Sequence, residues 1–83
     1  MTDFYHDVVR LDLNEGLHTY RIHFPELSTN IKGPINFSII KPELYINSQI
    51  ITIGETPSSS YIDFHLYSDI AHSQVLFDLG FWY

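Results

Sequence analysis

The sequence predicts an all-β, mainly antiparallel domain: a small six- or seven-stranded barrel or sandwich with at most one short helical turn. Three observations carry this. Apolar residues recur with a period of two over most of the chain. No stretch sustains the i, i+3, i+4 spacing that a helix longer than two turns needs to bury one face. Clusters of Gly, Pro, Asn and Ser interrupt the alternation repeatedly, as they do between short strands.

In residues 4–13, Val9, Leu11 and Leu13 alternate with Val8, Arg10 and Asp12. In residues 17–24, Tyr20, Ile22 and Phe24 alternate with Thr19, Arg21 and His23. Asn14-Glu15-Gly16 lies between them. A short loop ending in Gly suits a hairpin closed by a left-handed residue, so the first two strands are expected to pair with each other. Pro25 ends the second strand, and residues 25–34 read as a long loop. Ile35, Phe37 and Ile39 mark a third strand, broken at Lys41-Pro42. Residues 44–53 fit either a hairpin turning at Asn47-Ser48 or one bent strand with a bulge.

Residues 54–60 (GETPSSS) read as a flexible loop. Ile62, Phe64 and Leu66 then form an apolar face opposite Tyr61, Asp63, His65 and Tyr67. Residues 68–73 are expected to hold a helical turn capped by Ser68. The last strand runs over residues 74–81 with Val75, Phe77, Leu79 and Phe81 on its core side. The expected core is thus Tyr20, Ile22, Phe24, Ile35, Phe37, Ile39, Ile62, Phe64, Leu66, Val75, Phe77 and Leu79.

Eighty-three residues make one domain, residues 1–83. Hydrophobic residues at 45% and aromatics at 16% set the chain apart from disordered sequences, which lack the apolar surface to offset ordering entropy. No apolar run approaches the ~20 residues of a membrane helix. The first residues are polar and acidic and unlike a secretory signal, so a cytoplasmic location is expected. Cysteine is absent, which excludes disulfides, thiolate metal ligands and cysteine nucleophiles.

Ten acids against four bases leave a formal charge of −6. Arg10, Arg21, Lys32 and Lys41 are the fixed cations, and none lies beyond residue 41. Direct nucleic-acid binding requires clustered Lys and Arg, and attraction to an anionic membrane requires the same, so neither is expected. A basic protein partner would be drawn to the second half, which carries Glu43, Glu55, Asp63, Asp69 and Asp78.

Motif chemistry is sparse. The glycines at 16, 33, 54 and 80 are too scattered for a phosphate-binding loop. No G-x-S-x-G elbow is present. His6, His18, His23, His65 and His72 lack metal-ligand spacing, although a pair from distant strands such as His6 with His65 stays open. No cofactor or metal is expected. The strand face of Tyr61, Asp63, His65 and Tyr67 is the leading candidate site. An Asp beside a His could orient an imidazole for general-base chemistry, whereas Tyr and His equally suit a protein interface. A solvated strand face would show the same pattern. The terminal Phe81-Trp82-Tyr83 adds aromatic anchors, with Phe81 in the core and Trp82 facing away from it.

These features imply a non-enzymatic acidic binding protein that neutralises a basic, nucleic-acid-processing partner such as a nuclease. A phage-encoded anti-CRISPR-type inhibitor and a toxin immunity protein are the two settings that fit. Glu55, Tyr61, Asp63, His65, Tyr67, Asp69, Asp78 and Trp82 are its expected contact residues. Two alternatives stand beside it. One is an assembly subunit of a phage particle or homo-oligomer, pairing through exposed edges and terminal aromatics. The other is a small β-barrel enzyme or ligand binder using Asp63 and His65.

Overall fold

The computed structural model describes residues 3–45 and 47–83. Six strands follow in chain order: β1 (Phe4–Leu13), β2 (Gly16–His23), β3 (Lys32–Ile39), β4 (Ile50–Pro57), β5 (Tyr61–Ser68) and β6 (His72–Trp82). They form two three-stranded antiparallel sheets, ordered β1-β6-β3 and β2-β5-β4. The all-β expectation is met as a sandwich of six strands. Among the described residues its single helical turn is a 3-10 turn at Pro42–Tyr45 and not at residues 68–73.

The central strand of each sheet has the cleanest alternation, and this is why it is central. A strand with neighbours on both edges can bury its whole apolar face. In β5 that face is Ile62, Phe64 and Leu66, and in β6 it is Val75, Phe77, Leu79 and Phe81, all buried. Leu13, Ile22 and Phe24 complete the buried cluster, with Tyr20, Ile35, Phe37 and Ile39 half-buried against it. Every expected core residue is therefore placed in or against the core. Three rings join the layers: Phe37 of β3 stacks on Phe77 of β6 at 4.5 Å and on Phe64 of β5 at 3.9 Å between centroids. Each such side chain contributes about 1.5–3 kcal/mol by leaving water.

Five local expectations need correction. The first two strands have the expected extents but do not pair: β1 pairs with β6 and β2 with β5. Asn14 and Glu15 carry the chain from one sheet to the other, and Gly16 at φ 96° makes the turn. A left-handed glycine serves a crossing as well as a hairpin, and pairing each strand to an apolar central strand buries more. Residues 44–53 are neither a hairpin nor a bent strand. Leu44 belongs to the exposed 3-10 turn and β4 begins at Ile50, while Ile46 lies outside the described residues.

The expected flexible loop 54–60 is largely strand. β4 runs to Pro57, which an edge strand tolerates because its amide side can face solvent. The amide of Ser58 then donates to Tyr61 O at 2.7 Å, closing the β4–β5 hairpin. The third strand starts earlier than expected, at Lys32, passing through Gly33 (φ 73°) and Pro34. Finally, Ser68 caps no helix. It is the buried end of β5, and its hydroxyl donates to Ile70 O at 2.6 Å. That bond tightens the crossing from β5 to β6, the last between the sheets.

Candidate functional site

β5 presents its polar residues on the outer face of the second sheet, as alternation requires once Ile62, Phe64 and Leu66 point inward. Antiparallel register then sets a row of partners beside each one. Tyr67 lies between Leu17 and Ile51, His65 between Thr19 and Gly54, Asp63 between Arg21 and Thr56, and Tyr61 beside His23. The four residues singled out from the sequence do share this face.

The rows differ in chemistry. Leu17, Tyr67 and Ile51 are 61%, 36% and 40% exposed, so three apolar or aromatic side chains line up in water across three strands. In the next row Thr19 Oγ1 lies 2.9 Å from His65 Nδ1, and Thr56 Oγ1 reaches over from the Asp63 row to lie 3.2 Å from His65 Nε2. A neutral imidazole donates at one nitrogen and accepts at the other, so one threonine accepts while the other donates. In the third row Arg21 Nε and Nη2 donate to the two Asp63 oxygens at 2.8 and 3.0 Å. The guanidinium also lies 3.9 Å over the Tyr61 ring. Its hydrogen bonds hold the Asp63 carboxyl below its ordinary range, with the charges of Arg21, His65 and His23 acting the same way against a partial loss of hydration.

This geometry does not pair Asp63 with His65. Asp63 is committed to Arg21, and both ring nitrogens of His65 face threonine hydroxyls. His6 and His65 lie on outer faces of different sheets and form no common site. Among the described residues, no group of three or more His, Asp or Glu side chains is placed to hold a metal ion. A depression of about 200 Å³ lined by Asn30, Ile31, Pro57, Ser58 and Ser59 contains no ionisable side chain.

The other expected contact residues are dispersed. Glu55 stands opposite Phe64, on the core-facing side of edge strand β4, because the register shift between Thr52 and Gly54 inverts the alternation. Asp69 follows β5 in the crossing to β6, where its amide donates to Gln49 O at 3.1 Å. Asp78 and Trp82 lie on the outer face of the first sheet, where Asp78 Oδ1 is 3.1 Å from His6 Nε2. Trp82 is 48% exposed, as alternation implied, and pairs with Phe4 at 4.8 Å. The one-signed field expected of the second half is likewise broken, since Arg21 from the first half neutralises Asp63.

Leu17, Thr19, Arg21, Ile51 and Thr56 were missed as members of the face. The outward alternation of Thr19, Arg21 and His23 was legible in the sequence, but not that β5 is the strand beside them. No family model, curated protein or solved structure matches the chain.

Proposed function

We propose that this protein is a non-enzymatic binding protein that occupies a basic surface of a protein partner, with the β2-β5-β4 outer face as its contact surface. The apolar row of Leu17, Tyr67 and Ile51 carries this reading. It lies at the end of the sandwich where β2 and β4 begin and β5 finishes, and Glu15 and Glu43 stand in the link and turn at that same end. An apolar centre with a charged rim is the usual anatomy of a protein interface. The rim speeds encounter with a cationic surface, and the buried centre lengthens the complex's lifetime. A nucleic-acid-processing protein is the fitting partner class, because its phosphate-binding groove is basic. Inhibition of a nuclease, as by an immunity protein or a phage-encoded anti-CRISPR protein, is the setting this chemistry suits.

Binding kinetics against purified cationic nucleases test this. Tyr67→Ala is expected to raise the dissociation rate about tenfold or more, as loss of an anchor does. Glu15→Lys should slow association, and added salt should shrink that difference. Trp82→Ala, on the opposite sheet, should change neither rate. Loss of binding in Trp82→Ala with Tyr67→Ala unaffected would move the contact surface to the first sheet.

A further inference from the structure

The sandwich has four edge strands, and three are guarded against pairing with another chain. On β1 the Val8 amide is occupied by Asp7 Oδ1 at 2.8 Å, and the register shifts between Leu11 and Leu13. On β3 Pro34 has no amide hydrogen and the register breaks between Lys32 and Asn36. On β4 a bulge separates Thr52 from Gly54, and Pro57 ends the strand. Prolines, bulges and edge charges are the usual devices by which an edge is blunted.

β2 has neither proline nor bulge, and its one fixed charge, Arg21, is turned onto Asp63 of β5. Its eight residues hold one unbroken register with β5, without proline or acid. Among the described residues, no backbone hydrogen bond outside the β5 ladder reaches its strand residues. Its polar side chains do not guard it either. Thr19 and Arg21 reach across to His65 and Asp63 on β5, and His18 Nε2 turns back to Glu15 O at 2.8 Å.

We infer that β2 is a homodimer interface, pairing antiparallel with β2 of a second copy to make one six-stranded sheet ordered β4-β5-β2-β2-β5-β4. A two-fold axis perpendicular to the sheet keeps both outer faces on the same side, so outer residues must oppose outer residues. A register centred on Tyr20 meets this condition. It sets Arg21 opposite Thr19 of the second copy, Leu17 opposite His23 and His18 opposite Ile22, with no pair of fixed like charges. Centring on Arg21 would oppose two guanidiniums, and centring on Thr19 would draw the left-handed Gly16 into the ladder. The second copy is the favoured occupant because pairing two β2 strands uses up the unguarded edge of both. The edges left over are the guarded ones, so assembly closes at two copies and does not run on into a fibre. This inference is independent of whether the outer face binds a partner.

Light scattering on the purified chain is expected to give twice the monomer mass. In hydrogen exchange, consecutive β2 amides from Leu17 to Ile22 should all be slow, because both edges of the strand are paired. Thr19→Lys sets a lysine opposite Arg21 twice per dimer. It should weaken the dimer about tenfold or more and restore an alternation of slow and fast β2 amides. Leu17→Lys, at an exposed position, serves as a second variant if Thr19→Lys perturbs the fold by circular dichroism. A monomer at every concentration tested would overturn the inference. So would a dimer whose β2 amides alternate between slow and fast, or one that persists unchanged in both lysine variants.

Discussion

The two sheets share a plan and differ in what their outer faces do with it. Each has a central strand, β6 or β5, whose inner residues make the core. On the first sheet the outer face carries an aromatic pair, Phe4 and Trp82, each about half exposed. Phe4 lies over Gly80, so close that a Cβ there would meet Phe4 Cζ at 2.8 Å, and Trp82 packs beside it. On the second sheet the outer face is organised by polar pairs, and its apolar row of Leu17, Tyr67 and Ile51 stays open to water. One glycine shapes the first of these faces. It lets an edge-strand ring descend onto the central strand, so that Phe4 and Trp82 touch each other while both stay about half exposed. No residue of β5 leaves such a gap, and on the second sheet Leu17, Tyr67 and Ile51 lie side by side across three strands.

The comparison breaks first at the element both sheets depend on. Phe64→Ala removes one member of the Phe64–Phe37–Phe77 stack and should cost about 3–5 kcal/mol in chemical denaturation, much of what a domain this small has. A loss under about 1 kcal/mol would mean that the sheets are not held by that stack.

The glycine is tested next. Gly80→Ala should cost about 1–2 kcal/mol, the scale of a modest overpacking, because the Phe4 ring must move off the strand. In a Phe4→Ala background the same change should cost almost nothing. A Gly80→Ala cost independent of Phe4 would place the constraint in the backbone.

The smallest effect concerns the polar pairs. Asp63 has a lowered native pKa, chiefly from its hydrogen bonds to Arg21. Its contribution to stability is therefore fully present above the ordinary carboxylate range near pH 4, and is lost as pH falls through the lowered native value. Arg21→Ala should be slightly less stable than wild type at neutral pH, and the two acid-unfolding curves should converge at low pH. A difference that grows on acidification would contradict the pairing.

The fold class, the alternating core and the extents of β1, β2 and β5 were legible in the sequence, because period-two burial is a local property of each strand. So were the shared face of Tyr61, Asp63, His65 and Tyr67 and the outward turn of Trp82, which follow from counting along one strand. Glu55 shows where counting stops: one bulged residue inverts the parity of everything after it, and nothing local marks the bulge. Gly80 read as one more scattered glycine, since the ring it accommodates comes from the other end of the chain.

Pairing was decided only in the tertiary structure. Asn14-Glu15-Gly16 closes a hairpin or crosses between sheets with equal local ease, and the choice falls to whichever partner buries more apolar surface. That choice set β2 beside β5. It thereby placed Arg21 on Asp63, neutralised the acid that stood at the centre of the candidate site, and made Leu17, Tyr67 and Ile51 one row. The sequence determines which way each side chain points along its own strand, because that is fixed by backbone geometry. Which side chains then become neighbours depends on contacts between residues far apart in the chain, and these only the whole fold can set.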